Sequence, residues 1–243
     1  MARIQVLDPH VVNQIAAGEV IERPASVVKE LVENALDAGA RRVDVRVEDG
    51  GRALVEVADD GWGMHAEDLA RAFLPHATSK VREVDDLLHI SSLGFRGEAL
   101  ASVGSVARVR ETTRPEGSDA GWILEDREGR IGEVEPAAAS PGTVVRVEGL
   151  FQNVPARRKF LRTPATELGH ISALMGRFAV AYPDVAFRLA QGARTLLEAP
   201  AGQGRQERIA SIHGDDVARR LLAVEGSAGD LELDGWVGPP ALH

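Results

Sequence analysis

Lys29-Glu30-Leu31-Val32-Glu33-Asn34-Ala35-Leu36-Asp37 reads as the middle of an amphipathic helix. Val28, Leu31, Val32, Ala35 and Leu36 recur at three- and four-residue intervals, the period of a helix face turned toward a core. Pro24 stands just ahead and Gly39 just behind, residues that start and stop helices, so the helix is expected over 25–38. Glu30, Asn34 and Asp37 lie three and four apart and share one face. That spacing fits an ordinary solvated face. It also fits a metal site, because an acid one turn from a carboxamide can hold a water beside a hard cation. Mg2+ prefers oxygen ligands and keeps several waters.

Working outward, Val43, Val45 and Val47 alternate with polar residues, Asp49-Gly50-Gly51 turns the chain, and 54–59 returns as the second strand of a hairpin. A short helix is expected over 66–74, stopped by Pro75. The stretch 76–93 is irregular, with one helical turn near 84–88, and a further helix covers 98–103. Strands are expected at 106–112, 122–125, 131–135 and 143–148, separated by Pro/Gly turns. A longer helix at 166–181 precedes strands at 186–189 and 195–197. Pro200-Ala201-Gly202-Gln203-Gly204 is the best linker candidate. Beyond it lie a helix at 206–213 and strands near 221–224 and 231–236, a tail short for a core of its own. Helices and mostly antiparallel strands without strict alternation indicate an α+β fold, a sheet covered on one face by helices.

The chain of 243 residues is 44% hydrophobic and 27% charged, enough apolar material for a core. Cysteine is absent, which excludes disulfides, thiol catalysis and Cys-ligated zinc. No apolar run approaches the roughly 18 residues of a membrane span, and the N-terminus has no signal-peptide core. A soluble intracellular protein is expected. The net charge of −9 and the 4% aromatic content argue against a dedicated nucleic-acid binder. Any such role must rest on a local patch. Arg157-Arg158-Lys159-Phe160-Leu161-Arg162 is the candidate, readable equally as a solvated basic turn.

Two further segments could carry chemistry. Asp59 keeps the phase of Val55 and Val57, which aims its carboxylate at the core face, where it needs hydrogen-bond donors. The amino group of a nucleobase is one such donor. Asp59-Asp60-Gly61 is equally good turn chemistry, although the second glycine, Gly63, would allow a ligand close to backbone. Thr78-Ser79-Lys80 and Gly94-Phe95-Arg96-Gly97 combine cationic donors with a loop feeding a helix N-terminus, an anion site in principle. Neither a P-loop nor a Gly-x-Gly-x-x-Gly fingerprint is present. The histidines, among them His10, His76, His89 and His170, show no metal-ligand spacing.

Taken in order, Asn13-Gln14-Ile15-Ala16-Ala17-Gly18-Glu19-Val20-Ile21-Glu22-Arg23-Pro24, the helix Lys29 to Gly39, Gly94-Phe95-Arg96-Gly97-Glu98-Ala99-Leu100 and Asn153-Val154-Pro155-Ala156-Arg157-Arg158-Lys159-Phe160-Leu161 closely resemble the MutL-type DNA mismatch repair proteins. The resemblance runs from about Ile4 to Leu197 and weakens to the end. The wider superfamily of gyrase B subunits, chaperone ATPases and sensor histidine kinases, termed GHKL, shares the acid-x-x-x-Asn helix and the Asp-x-Gly-x-Gly turn. The first block and the Pro155–Leu161 segment resemble MutL alone.

The resemblance implies a two-layer α/β sandwich of the Bergerat type, residues 1–200, that binds ATP and Mg2+ under a mobile lid. Residues 205–243 would open an incomplete S5-like domain. Glu30 matches the general base and Asn34 the Mg2+ ligand. Asp59 matches the acid that reads the adenine amino group, supported by Thr143, with Ala38, Gly61, Gly63 and Met64 beside the base. Thr78, Ser79 and Lys80, with Gly94, Phe95, Arg96 and Gly97, match the lid and phosphate segment. The implied function is slow ATP hydrolysis driving N-terminal homodimer closure, the first 20 or so residues ordering against the partner. That closure would couple a mismatch-recognition protein to downstream repair factors in the bacterial cytoplasm, at the nucleoid when engaged. DNA contact would fall to Arg157, Arg158, Lys159 and Arg162. Two departures stand out: Asp60 replaces the usual Asn of the turn and is expected to face solvent, and the family's phosphate-contacting lysine of the second domain falls beyond position 243. Weak hydrolysis is therefore expected. The alternatives are a nucleotide-binding interaction module without turnover and another ATPase of the superfamily, such as a topoisomerase subunit.

Overall fold

The structure is a computed structural model describing residues 17–240 except 19, 82, 84, 87–91 and 230. The expectations for most of the first 20 residues, for His89 and for most of the turn at 84–88 lie outside the described residues. Helix α1 (Pro24–Asp37) has Pro24 in its first turn and buries Val27, Val28, Leu31, Val32 and Ala35. Strands β1 (Arg42–Glu48) and β2 (Leu54–Asp59) form the expected antiparallel hairpin, with Val45 opposite Val57. After α2 (Ala66–Ala72) and α3 (Ala99–Val106) come β3 (Arg108–Arg114), β4 (Gly121–Arg127), β5 (Glu135–Ala137) and β6 (Gly142–Glu148). The one-turn α4 (Pro155–Arg158) leads to α5 (Pro164–Ala181), whose N-cap Thr163 accepts from the Thr166 N–H. Strands β7 (Ala186–Gln191) and β8 (Arg194–Ala199) complete one eight-stranded sheet of order β5-β4-β3-β6-β2-β1-β7-β8. Among the described residues only the β1–β7 pairing of this sheet is parallel.

Alternation decides which face is covered. Val43, Val45, Val47, Val55 and Val57 point to the helices and, with Val109, Val145 and Val147, form the core under α1, α3 and α5. The opposite face carries charge: Arg146 pairs with Glu56 at 3.0 Å and Glu148 at 2.8 Å, and Glu125 receives Arg127 at 2.9 Å. A half-solvated antiparallel sheet is expected to show this pattern. The result is the α+β sandwich of one helical layer on one sheet.

The chain then continues through α6 (Arg205–His213) and α7 (Asp215–Arg220) to the hairpin of β9 (Leu222–Ala228) and β10 (Leu231–Val237). Arg208 of α6 is fully buried and donates to the carbonyls of Pro183 and Pro200 at 2.7 and 2.5 Å, tying α6 to the ends of α5 and β8. Three sequence expectations are corrected. Helix α3 runs on to Val106, because Gly104 lets it pack against Asp126 of β4: a Cβ there would come within 2.0 Å of Asp126 Oδ2. The strand expected at 131–135 is a single bridge at Ile131, and the edge strand forms at 135–137 instead. Helix α7 has no counterpart among the expected elements. Its acids in the first turn and arginines in the last suit the helix dipole, and Gly214 at φ 90° separates it from α6. Among the described residues no helix is long and apolar enough to cross a membrane.

Candidate functional site

Between α1, the end of β2 and the loops before α3 lies a cleft of about 1280 Å3. Every residue singled out above for nucleotide or metal lines it, except Gly61. Helix periodicity puts Glu30, Asn34 and Ala38 on its α1 wall. The strand end supplies Asp59, followed by Gly63 and Met64, with Thr143 of β6 opposite Asp59 in register. The loops contribute Thr78, Ser79 and Lys80 on one side and Gly94, Phe95, Arg96 and Gly97 on the other.

At the β2 end, Asp59 Oδ1 accepts the Gly61 N–H at 2.9 Å. Burial pushes the Asp59 carboxyl up to about 6, against the backbone N–H groups of Gly61 and Thr143, which favour the charged form. Thr143 Oγ1 lies 3.0 Å from the Thr113 hydroxyl, which accepts the Met64 N–H at 2.9 Å. The two glycines of the turn serve the chain itself. A Cβ at Gly61 would stand 2.7 Å from the Ala38 carbonyl oxygen, and one at Gly63, where φ is 64°, 2.2 Å from that of Arg114. They let the turn pack under α1 and against β3, and so fix Asp59. Asp60 is exposed as expected, but it also accepts the Arg41 and Arg42 N–H groups at 2.7 and 2.8 Å, pinning the entry to β1.

At the other end, Lys80 Nζ donates to Asn34 Oδ1 at 2.9 Å and to Asp37 Oδ2 at 2.5 Å. Asp37 also accepts the N–H groups of Leu93 and Gly94 at 2.8 and 3.1 Å. Two oxygens aimed at one ammonium form a cation-compatible site, and a carboxamide with few other protein ligands suits Mg2+, which retains water. Glu30 pairs with Lys29 at 3.3 Å on the same wall. The Lys80 N–H turns back to Thr78 Oγ1 at 3.1 Å, and the Arg96 guanidinium lies 5.8 Å from the Phe95 ring. Helix α3 opens here without a side-chain cap, with Ala99 and Leu100 of its first turn lining the cleft, so its first N–H groups lack the partner a cap would supply.

Asp37 shares the helix face of Glu30 and Asn34 as the spacing indicates, but its partners, Lys80 and the 93–94 backbone, do not follow from spacing. One residue of the cleft escapes sequence reasoning altogether. Glu111 of β3 lines the cleft, 1% exposed, with its carboxyl pushed up to about 8 by burial and by Asp59. Nothing in Arg108-Val109-Arg110-Glu111-Thr112-Thr113 marks it, since alternation alone does not say which face of β3 is covered. Of the basic run, Arg158, Lys159 and Arg162 are exposed. Arg157 turns inward, lying 4.1 Å over the Phe151 ring and donating to the Ile21 carbonyl.

Residues 21–128 match the family model described as histidine kinase-, DNA gyrase B- and HSP90-like ATPase. The chain is 51% identical over 240 residues to the DNA mismatch repair protein MutL of Anaeromyxobacter dehalogenans (strain 2CP-C), covering 99% of this chain and 40% of that protein. It is 52% identical over 246 residues to the protein of the same name from Azotobacter vinelandii, covering 99% of this chain and 38% of that protein. The chain thus spans about 40% of the length of these curated relatives. Among solved structures, the Aquifex aeolicus MutL ATPase domain complexed with ADP superposes with a TM-score of 0.68 at 30% identity, covering 85% of this chain and 73% of that one. The N-terminal domain of a DNA repair protein gives a TM-score of 0.79 at 25% identity, covering 98% and 75%. The order of the sequence blocks, the sheet with its helical layer and the cleft at the end of α1 agree with these matches: the chain belongs to the MutL family of DNA mismatch repair proteins and has the fold of that family's ATPase domain.

Proposed function

We propose that the cleft binds Mg-ATP and hydrolyses it slowly, and that nucleotide occupancy drives closure of two N-terminal regions in mismatch repair. The observation that carries this reading is the polarity of the cleft. A partly buried carboxylate stands at one end, and two oxygens already holding a cation stand at the other. The likeness to an Aquifex aeolicus MutL ATPase domain complexed with ADP supports it.

Asp59 accepts from the amino group of the purine, with Thr143, Met64 and Ala38 beside the ring and Gly61 and Gly63 setting the turn. Asn34 ligates Mg2+, which when bound neutralises phosphate charge and orients the terminal phosphoryl group. Lys80 leaves Asn34 and Asp37 for the phosphates, together with Thr78, Ser79, Arg96 and the N–H groups of Gly94, Phe95 and Gly97. Glu30, one turn ahead of Asn34, holds the attacking water and takes its proton. Phosphoryl transfer depends chiefly on such positioning and charge neutralisation. Residues 1–200 are assigned to this ATPase domain and 205–243 to the opening of an S5-like domain.

ATP-dependent homodimer closure then signals between a mismatch-recognition protein and downstream repair factors, in the bacterial cytoplasm and at the nucleoid. DNA phosphates are met by Arg158, Lys159 and Arg162, with Arg157 holding that segment to the body.

Phosphate release measured beside nucleotide affinity tests the catalytic part. Glu30→Ala should keep affinity and lose turnover by roughly 10²–10⁴-fold, the usual contribution of a general base. Unchanged turnover removes Glu30 from that role. Binding without turnover in the parent chain favours the interaction-module reading.

A further inference from the structure

Among the described residues three acids are buried: Glu111, Asp126 and Glu167. Asp126 accepts the Gly129 N–H and Glu167 the Arg162 N–H, each at 2.9 Å. Like Glu167, Glu111 is 1% exposed and has an Oε2 without a hydrogen-bond partner among the described residues. Of the three acids, Glu111 is the one that lines the cleft.

The sheet register says where it stands. Asp59 of β2, Thr143 of β6 and Thr113 of β3 form one row across three strands, at the purine end of the proposed site. Val57, Val145 and Glu111 form the next row of the same face. Two of those three positions are valine, so the third would pack well as an apolar residue. An unpaired carboxylate there would be very costly, and a buried acid in such surroundings keeps its proton instead. A neutral carboxyl is an O–H donor as well as an acceptor, whereas an ionised one only accepts.

We infer that Glu111 is a specificity-determining residue for the base: its neutral carboxyl donates a hydrogen bond at the purine end of the cleft, directly or through a water, while Asp59 accepts one. This pair complements the edge of adenine, an amino donor beside a ring-nitrogen acceptor. It opposes the edge of guanine, a carbonyl acceptor beside an N–H donor. The inference rests on the nucleotide reading given above.

Charged groups reach the cleft from several elements, and Asp59 of β2 is the one that acts on Glu111 electrostatically. β4 presents Asp126, which lies against Gly104 of α3. The inner face of β6 and the whole of α3 carry no titratable residue, whereas α1 carries Lys29, Glu30, Glu33 and Asp37, α2 Asp68 and Arg71, and the loops Lys80 and Arg96 along the cleft wall. As pH rises through about 8, Glu111 loses its proton, its donor role ends, and a second negative charge joins Asp59.

The test is calorimetric titration of Mg-ADP and Mg-GDP into the chain and its Glu111→Gln and Glu111→Leu variants, from about pH 6 to about pH 9. Thermal melts check that each variant folds. The parent chain should prefer ADP, with affinity declining above about pH 8. Glu111→Leu should bind ADP roughly tenfold more weakly and GDP equally, the loss expected for one buried hydrogen bond. Glu111→Gln, which keeps a donor, should retain ADP affinity at neutral pH and lose the alkaline decline. If both folded variants match the parent in affinity, preference and pH profile, Glu111 is only a core acid and the inference is overturned. If the parent chain binds no ADP at any pH, the nucleotide reading itself fails, a result distinct from the first.

Discussion

The Lys80 ammonium stands 2.5 Å from Asp37 Oδ2, joining residues 43 positions apart across the mouth of the cleft. The same carboxylate accepts the N–H groups of Leu93 and Gly94. One acid therefore sets both a cation and a backbone turn, and Asn34 shares the lysine. Charge-assisted hydrogen bonds of this kind are roughly twice as strong as neutral ones.

Asp37→Asn removes the charge while keeping the shape. Amide hydrogen exchange at Leu93 and Gly94 should then accelerate by roughly tenfold, the loss expected for a weakened hydrogen bond, with exchange in β1 and β2 unchanged. Equal rates at Leu93 and Gly94 in both proteins would show that the turn is held by other contacts.

Burial of Glu111 also carries a stability prediction. Its folded-state carboxyl titrates near 8, above the ordinary value of 4.5, so between those pH values the folded chain holds a proton that the unfolded chain has released. Stability from this group is greatest at acid pH and declines as pH rises toward about 8. Glu111→Leu removes that decline and fills the row beside Val57 and Val145. Its melting temperature should exceed that of the parent chain by a margin that widens from about pH 5 to about pH 8. A margin that stays constant or shrinks over that range would mean Glu111 is already ionised in the folded protein.

The basic run should divide into two behaviours. Arg157 contributes packing over Phe151 and a hydrogen bond to Ile21, so Arg157→Ala should lower the melting temperature by several degrees. Arg158, Lys159 and Arg162 are exposed, and replacing each with alanine should leave stability within about 0.5 kcal/mol. If they meet DNA phosphates, each replacement should flatten the logarithmic salt dependence of DNA affinity by about one. A salt response that does not change with any of the three places DNA contact elsewhere.

Local patterns in the sequence explain why much of this structure could be read in advance. The three valines of β1 and the Asp49-Gly50-Gly51 turn fix a hairpin by alternation and turn chemistry alone. The α1 face of Glu30, Asn34 and Asp37 follows from helical spacing. What escaped depends on distant partners. The helix expected over 98–103 runs on past Gly104, where Asp126 of β4 occupies the space a side chain would need. Lys80 sits in a loop whose partners, Asn34 and Asp37, lie on α1, and no spacing rule links them. Glu111 reads as an ordinary charged strand residue until the order β4-β3-β6 and its helical cover turn it inward.

Calorimetric titration of ADP, with and without Mg2+, into the parent chain, Asp59→Asn and Asn34→Ala probes both ends of the cleft at once. One nucleotide should bind per chain, with affinity that falls in the parent as pH drops through about 6, where Asp59 takes up its proton. Asp59→Asn should lose binding at every pH, and Asn34→Ala should keep ADP binding but no longer respond to Mg2+. Absence of binding to the parent chain, or parent-like affinity in Asp59→Asn, would contradict the nucleotide reading of the cleft.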